Sequence, residues 1–245
     1  MSAYGPLAGC YDLFTGDVPY AALADFYENA LRLPGRENLT VLDLCCGTGT
    51  LACMLAGRGH ELIGTDLSEE MLALAQEKAE SGSFRVRPMF LCQEASELDL
   101  YGTVEGAYCS LDAVNYIPPG RLGELVRRLH LFIEPGGKLA FDLQSPEHLR
   151  ALDGRAFADE SEDVLCLWRG EYDGGERALF YGVDIFRRCG GLWRRQSEEH
   201  VQYAHEPEGL RRLLGGGGFT NVRVLEGVLP EQPWRLFFTA ENLPH

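Results

Sequence analysis

Segment 43–49 combines a carboxylate with a glycine turn, a pairing that suits the binding of a cofactor. It reads Asp43-Leu44-Cys45-Cys46-Gly47-Thr48-Gly49 and continues an apolar run that begins at Leu39. Because glycine has no side chain, a strand that ends in glycines before a helix lets the backbone approach a ligand closely. The spacing from Gly47 to Ala52 also satisfies the dinucleotide-binding fingerprint, which is a weak signal by itself. A cofactor site and a tight strand-to-helix turn are both open on this segment alone.

Two carboxylates at strand ends narrow the type of cofactor. Asp43 lies four residues before Gly47, where it suits a cationic ammonium group and would be poorly placed beside a pyrophosphate. Asp66 ends the next apolar run, where an acidic side chain can accept hydrogen bonds from both hydroxyls of a ribose. The alternative for Asp66 is a turn residue ahead of the next helix. Together the two carboxylates favour a ligand with an ammonium group and a ribose over a dinucleotide.

The elements that position these carboxylates alternate between apolar strands and amphipathic helices, which is typical of a parallel α/β sheet. Strands are predicted over residues 39–44, 60–66, 85–92, 106–110 and 138–143. Helices are predicted over 50–58, 68–80 and 122–133, with Ser68 as an N-cap. The glycines after Pro135 predict a turn that ends the third of these helices.

The pattern changes after residue 145. Segments 164–172, 178–188 and 192–205 are predicted to be strands, and the short glycine-bearing turns between them make them antiparallel. A helix near 207–214 and strands near 221–228 and 234–240 follow, the last one antiparallel to its partner. We expect a single domain over 1–245, because this length supports one sizeable core. It would consist of a cofactor-binding core (38–145), an inserted substrate or lid sheet (146–206) and a C-terminal part (207–245) that completes the core.

Five segments, in this order, resemble the motifs of class I S-adenosylmethionine-dependent methyltransferases. They are residues 41–49, 63–72, 92–95, 109–116 and 135–143. The resemblance is strongest to bacterial small-molecule enzymes of largely unassigned substrate. It implies an α/β, Rossmann-like methyltransferase fold with a seven-stranded, mostly parallel sheet in the order 3-2-1-4-5-7-6 and an antiparallel last strand. The three-strand antiparallel insert would be added to that sheet.

The resemblance also implies S-adenosyl-L-methionine as the cofactor and a set of residues that bind it. Asp43 would lie near the amino group, Asp66 would bind the ribose diol and Glu94 would face the exocyclic amine of adenine. Glu94 stands where the family usually has aspartate, and Cys45-Cys46 replaces a commoner glycine pattern. The full expected set is Asp43, Cys45, Gly47, Gly49, Asp66, Leu67, Glu94, Ala95, Ser110 and Tyr11, with Tyr4 and Tyr11-Asp12 in a first helix that closes the site.

Catalytic residues are harder to predict, because a sulfonium donor is already activated and the protein mainly aligns the acceptor and excludes water. Asp112, Asn115 and Tyr116 follow the fourth strand, at the edge where open α/β sheets bind ligands. Turn and cap residues are the alternative for these three. A base is needed only if the acceptor holds a proton, and His200 is the leading candidate beside the alternative of a structural histidine.

The insert is expected to roof the cofactor and line the acceptor pocket. Its last strand places Glu198, His200 and Gln202 on one face at period two, and Trp168 and Tyr172 share a face of its first strand. We therefore predict Trp168, Tyr172, Glu198 and Gln202 as substrate contacts.

Composition restricts the partners. The net charge of −15 argues against a nucleic-acid acceptor, which usually needs a basic face, and leaves a tRNA methyltransferase as a minor possibility. No run approaches the roughly 20 apolar residues of a membrane helix, and there is no secretory signal, so a cytoplasmic protein is expected. The eight cysteines form no C-x-x-C pair, so neither a metal site nor disulfides are expected. The oligomeric state stays open.

The leading hypothesis is therefore methyl transfer to nitrogen or oxygen of a small molecule by in-line displacement. Two alternatives come from other classes of protein. The first is a dinucleotide-dependent oxidoreductase, and the second is a protein that binds S-adenosylmethionine without catalysis.

Overall fold

The computed structural model describes residues 4–33, 35 and 39–244, so the expected domain bounds at 1, 38 and 245 lie outside the described residues. Two helices come first, followed by alternating strands and helices. These elements are α1 (Gly5–Phe14), α2 (Tyr20–Ala30), β1 (Thr40–Leu44), α3 (Thr50–Gly57), β2 (Glu61–Asp66), α4 (Glu69–Ser81), β3 (Met89–Cys92), β4 (Val104–Cys109), α5 (Leu122–Phe132) and β5 (Ile133–Gln144).

The second half contains a separate sheet and then returns to the first one. Its elements are α6 (Pro146–Ala151), β6 (Ala156–Glu160), β7 (Val164–Asp173), β8 (Ala178–Cys189), β9 (Leu192–Tyr203), α7 (Pro207–Gly216), β10 (Phe219–Leu225) and β11 (Arg235–Asn242). The first sheet has the order β10-β11-β5-β4-β1-β2-β3, and β11 is antiparallel to both of its neighbours. This Rossmann-like architecture confirms the predicted fold class and strand order.

Local sequence explains the elements beneath the site. Residues 41–44 of β1 are buried on both faces, as expected of a central parallel strand. Ser68 caps α4 through its Oγ, which accepts the N–H of Met71 at 3.2 Å, and Glu69 and Glu70 occupy the first turn. The cap sets the direction of the chain directly after Asp66.

The strands differ from the prediction in three main respects. The second sheet has four strands, in the order β6-β7-β8-β9, and not the three that were predicted. The sequence pattern missed β6 because this exposed strand has no apolar alternation. Strand β3 begins at Met89 and not at residue 85, since Pro88 has no N–H to donate to a ladder. Strand β5 begins at Ile133 and runs through the expected turn, where Gly136 takes a φ of +81° and the register against β4 shifts.

The first sheet is covered on both faces. One apolar cluster joins it to α5 and α7, and another joins it to α2 and α3. A third cluster packs α1 onto the second sheet through Leu7, Cys10, Cys166, Val183 and Ile185. Helix α1 is therefore a bridge between the two sheets. None of the helices in the described ranges is long and apolar enough to cross a bilayer.

Candidate active site

A cavity of about 510 Å³ lies between the carboxyl ends of β1, β2 and β4 on one side and α1 and β9 on the other. Of the predicted residues, those on its wall are Tyr4, Tyr11, Cys45, Gly47, Asp66, Leu67, Glu94, Ala95, Ser110, Tyr116 and His200. A second, more open groove of about 560 Å³ lies between α2 and the β10–β11 edge. Its described wall holds none of the predicted residues, so the chemistry belongs to the first cavity.

The turn after β1 owes its path to three positive φ angles. Gly47 has a φ of +53°, and an added Cβ there would meet no described atom within 4 Å, which leaves a bare backbone edge at the cavity. Cys45 takes a φ of +58°, the conformation that glycine adopts at no cost. Gly49 has a φ of +68°, and a Cβ added there would lie only 2.8 Å from the side chain of Ala75 and 2.9 Å from the ring of Phe90. Gly49 therefore serves packing and lies off the cavity wall as described.

Asp66 is held in place by two backbone groups. Its Oδ2 accepts the N–H of Gly47 at 2.8 Å, and its Oδ1 accepts the N–H of Ser68 at 2.9 Å. Burial raises the pKa of Asp66, and the same backbone N–H groups oppose that rise. Each oxygen keeps a lone pair, so the carboxylate can accept two further hydrogen bonds. That is the arrangement a vicinal diol requires.

Asp43 is buried next to the glycine turn, but not on the cavity wall that the structure describes. Neither carboxylate oxygen has a hydrogen-bond partner of ordinary geometry among the described residues. Burial raises the pKa of Asp43 to about 8, and the nearby Tyr108 hydroxyl offsets only part of that rise. A buried carboxyl group without a partner is costly, and a neighbouring cation would compensate for it.

The rim beyond β2 and β3 has one apolar and one charged wall. Leu67 is 62% exposed and faces the cavity. Glu94 caps the short 3-10 turn at Ala95, because its Oε1 accepts the N–H of Ser96 at 3.2 Å. Its Oε2 pairs with Arg121 Nη2 at 2.9 Å. The sequence analysis missed Arg121, and the charge of Glu94 is shared with it.

Beyond β4, the chain continues along the cavity wall through Leu111 and Ala113, but the side chain of Asp112 is directed away from it. Leu111 and Asp112 both have positive φ, and their N–H groups bind the two oxygens of Asp142 at 2.9 Å each. The Asp112 carboxylate consequently points to Arg235, at 2.9 Å, and to Gln202 Nε2, at 2.6 Å. Asp112, predicted as catalytic, is a buried structural anion that lies off the described cavity wall.

Asn115 also turns out to be internal. Its Nδ2 donates to the carbonyls of Gln144 and Tyr203, at 3.2 and 3.0 Å, and its Oδ1 accepts the N–H of Gln144 at 2.8 Å. Asn115 therefore ties the first sheet to β9. Tyr116, two residues past Val114, does reach the cavity. Burial, together with the charge of Asp112, raises the pKa of Tyr116, so this phenol is neutral.

The four predicted substrate contacts lie on the expected face of the second sheet, but none belongs to the cavity wall in the described structure. Trp168 donates its Nε1–H to Asp159 at 2.7 Å, and Tyr172 packs in the apolar cluster around Leu149. Glu198 and Gln202 are buried beneath the wall. Strand β9 is an edge strand of the second sheet, paired with β8, and it reaches the cavity through residues 199–201 and 203.

The roof of the cavity is aromatic. The ring of Tyr4 lies 4.7 Å from that of His200, 5.8 Å from that of Tyr116 and 6.0 Å from that of Tyr11, between centroids. Burial raises the pKa of Tyr4 and of Tyr11 well above the ordinary value, so both phenols keep their protons at neutral pH. Such a wall excludes water and offers hydroxyl donors to a polar ligand.

His200 is buried in this roof with its two ring nitrogens in different settings. Its Nε2 lies 3.0 Å from Glu198 Oε2. Its Nδ1 is buried without a hydrogen-bond partner among the described residues.

A cluster of polar side chains fastens α1 to the glycine turn. Asp12 Oδ1 accepts the hydroxyl of Thr48 at 2.6 Å, and its Oδ2 pairs with Lys78 Nζ at 2.6 Å. The same ammonium group donates to Thr48 and Thr50. Lys78 on α4 thus connects α1, the helix that covers the cavity and is called the lid helix below, with the turn after β1. No local sequence pattern predicts this link.

Sequence comparison assigns the family. A family model described as a methyltransferase domain matches residues 41–137. The chain is 30% identical to a putative methyltransferase of Bacillus subtilis, YqeM, over 98% of this chain and 97% of the relative. The chain belongs to the class I S-adenosylmethionine-dependent methyltransferases. The enzyme class and the cofactor predicted from the motifs are confirmed, and the oxidoreductase alternative falls away.

Solved methyltransferases share the fold of this one. An S-adenosylmethionine-dependent methyltransferase from Clostridium acetobutylicum is 25% identical, with a TM-score of 0.84 over 99% of this chain and 100% of the other. CalS10, an amino pentose methyltransferase from Micromonospora echinaspora solved with S-adenosylmethionine bound, is 24% identical. Its TM-score is 0.71, over 91% of this chain and 89% of that one.

The residues of this methyltransferase fit the cofactor. S-Adenosylmethionine carries an ammonium group, a ribose diol and an adenine. The unpartnered carboxyl group of Asp43 suits the first, and the free lone pairs of Asp66 suit the second. The exposed side chain of Leu67 offers an apolar face to the third.

Proposed function

We propose that this methyltransferase acts on nitrogen or oxygen of a small-molecule acceptor bound in the roofed cavity. The observation that carries the proposal is the cavity itself, which at about 510 Å³ falls in the size range of small-molecule sites. Four aromatic rings close it from above. The neighbour CalS10, an amino pentose methyltransferase by name, supports a small acceptor on this fold.

The expected cofactor residues keep the roles that the motifs imply. When bound, S-adenosylmethionine supplies a methyl group on a positively charged sulfur, which an acceptor atom displaces in line. Asp66 would hold the ribose, Asp43 the ammonium end and Leu67 one face of the adenine. Glu94, with its charge shared by Arg121, would face the exocyclic amine, and Ala95 would offer its amide. Tyr11, Cys45, Gly47 and Ser110 complete the wall.

For catalysis we retain Tyr116 and His200, the two predicted residues that meet the cavity. Asp112 and Asn115 act from beneath it, since both brace the turn that presents Tyr116. Trp168 and Tyr172 on β7 and Glu198 and Gln202 on β9 also lie off the described wall, and they would support it from within the second sheet. A proton leaving the acceptor would pass to an imidazole, because burial leaves the surrounding phenols protonated.

The acidic net charge of the chain supports an acceptor other than nucleic acid. We also propose a cytoplasmic location, which agrees with the finding that no helix in the described residues could span a membrane. We further propose that the core, the insert and the C-terminal part form one domain, since α1, β9 and β11 connect them. One cooperative urea transition, seen alike by far-UV and tryptophan signals, is the expected behaviour. Two separate transitions would contradict it.

The test is incubation with methyl-labelled S-adenosylmethionine and a cell extract separated by size and by nuclease treatment. We expect label in products below the size of protein and RNA, with little dependence on salt. His200→Asn should lose most of this label and still bind S-adenosylhomocysteine. Full turnover by His200→Asn would remove His200 from the mechanism. Label in RNA, with a steep salt dependence, would overturn the small-molecule proposal.

A further inference from the structure

Glu198 is buried beneath the roof of the cavity, and each of its two carboxylate oxygens contacts a different residue. Its Oε1 accepts the backbone N–H of Leu7 at 2.7 Å. Its Oε2 lies 3.0 Å from Nε2 of His200, two residues along the same strand. One carboxylate therefore contacts both the lid helix and the candidate base.

The bond to Leu7 replaces a helix cap. Leu7 lies in the first turn of α1, where N–H groups have no partner within the helix. The N-cap residue is Tyr4, whose side chain makes no capping hydrogen bond in the described structure. A serine or aspartate would normally supply that bond locally. Here the carboxylate of Glu198 supplies it from 191 residues away, at the end of α1 that favours negative charge.

The bond to His200 selects one tautomer. An ionised carboxylate only accepts hydrogen bonds, so Nε2 of His200 carries the proton and Nδ1 keeps its lone pair. That Nδ1 is the ring nitrogen left without a partner among the described residues. The ring lines the cavity and packs against Tyr4, the N-cap residue of α1. An acceptor proton would thus meet a lone pair already fixed in place.

We propose that Glu198 is a positioning residue that couples the docking of α1 over the cavity to the base function of His200. The proposal rests on the function proposed above and applies to an acceptor that holds a proton on its reacting atom. The acceptor atom bonds to the methyl carbon while the carbon–sulfur bond breaks and its electron pair stays on sulfur. The proton passes to Nδ1, and the resulting imidazolium is paired through Nε2–H with Glu198.

Two substitutions separate the two contacts. Glu198→Gln keeps an oxygen for Leu7 but places an amide donor against Nε2, which turns His200 to the tautomer with the proton on Nδ1. Glu198→Ala removes both contacts. The matched control is Glu171→Gln, an exposed carboxylate on β7 of the same sheet.

The first measurement is nitrogen NMR of the six histidines, with His200 assigned from the His200→Asn spectrum. Wild type and Glu171→Gln should show His200 protonated on Nε2. Glu198→Gln should show the opposite tautomer, and Glu198→Ala a mixture. An unchanged His200 tautomer in Glu198→Gln would overturn the proposal.

The second measurement is the dissociation rate of S-adenosylhomocysteine by rapid mixing. Loss of a helix cap predicts a rate about fivefold higher in Glu198→Ala. Glu198→Gln, His200→Asn and Glu171→Gln should stay within about twofold of wild type by the same reasoning. A rate in Glu198→Ala equal to wild type would show that the lid is independent of Glu198 and would also overturn the proposal.

Neither measurement requires the methyl acceptor. If the enzyme proved to act on a macromolecule, the tautomer and the dissociation rate would still report on Glu198. Failure of the proposed function and failure of this inference are therefore distinguishable.

Discussion

The residues that form the floor of the cavity contact partners close to them in sequence, whereas those that form its roof contact partners far away in sequence. In the floor, Asp66 accepts hydrogen bonds from the N–H groups of Gly47 and Ser68, which are 19 and two residues away in sequence. In the roof, Glu198 meets Leu7 across 191 residues, and His200 packs against the ring of Tyr4. The floor is made where adjacent parallel strands end, whereas the roof exists only when α1, β9 and the turn after β4 come together.

This contrast suggests a division of labour. Backbone hydrogen bonds within a parallel sheet fix the floor, so the cofactor meets groups that are already in place. Side-chain contacts between separate elements hold the roof, and such contacts can open without unfolding the sheet.

The largest effect should come from the support that floor and roof share. Arg235 is buried between Asp112 and Asp142, and Asp112 also holds Gln202 of β9. Arg235→Met leaves two buried carboxylates without a counter-charge, which should cost about 3–5 kcal/mol of unfolding free energy. Urea denaturation measures the loss, with exposed Arg223→Met as the control. A loss below about 1 kcal/mol, the range of surface ion pairs, would show that the two halves are braced independently.

Next in size is the loss of the floor alone. Asp66→Ala removes the proposed acceptor of both ribose hydroxyls, and hydrogen bonds to a charged group contribute about 1.5–3 kcal/mol each. Calorimetry should show S-adenosylhomocysteine affinity reduced by about 100-fold or more. Exposed Asp163→Ala, in the turn between β6 and β7, should bind normally. Retained affinity in Asp66→Ala would mean that the roof holds the cofactor.

A smaller effect concerns the charge buried in the floor. Between the ordinary pKa of 3.8 and the raised pKa of about 8, native Asp43 holds a proton that the unfolded chain has lost. Stability of the unliganded enzyme should therefore fall as pH rises through this window. Asp43→Asn lacks this contribution.

Thermal unfolding from pH 5 to pH 9 tests this prediction. The advantage of Asp43→Asn over wild type should grow with pH and level off above pH 8. It should reach about 2 °C or more, which corresponds to roughly 1 kcal/mol in a chain of this length. An exposed substitution, Asp163→Asn, should show no such trend. A pH-independent difference for Asp43→Asn would contradict the raised pKa.

The smallest effect belongs to the clamp between floor and roof. Lys78→Met breaks the pair with Asp12, a partly exposed contact of about 0.5 kcal/mol. Release of S-adenosylhomocysteine should become about twofold faster. The other lysine of the chain, Lys138, pairs with Glu241 away from the cavity, so Lys138→Met is a matched control. Equal rates in the two variants would remove the clamp from the account of the lid.

The sequence allowed the fold and most of the floor to be predicted, because both depend on local patterns. Strand ends, a glycine turn and an N-cap occur within a few residues of Asp66, and the parallel order of strands brings them to one edge. The short link before β11 also predicted its antiparallel direction. Strand β6 was not predicted, because an exposed edge strand needs no apolar alternation.

The roof could not be predicted to the same depth. Period-two spacing placed Glu198, His200 and Gln202 on one face, as the structure has them, but not their partners. Asp112 was expected in the cavity, and the two positive φ angles that turn it to Arg235 have no signature in apolar spacing. Arg235 itself lies in a strand of ordinary composition. Only the folded structure shows that Arg235 neutralises the Asp112 and Asp142 carboxylates beneath the cavity.

The position of Arg235 also matters during synthesis of the chain on the ribosome. Asp142 emerges 93 residues ahead of the arginine that neutralises it, and the outer edge of β5 waits as long for β11. At 5–20 residues per second, that interval is roughly 5–20 s. Until residue 235 has been synthesised, a nascent chain therefore presents an unpaired strand edge and two uncompensated carboxylates. The buried ion-pair network of Asp112, Asp142 and Arg235 is therefore complete only once β11 has paired with β5.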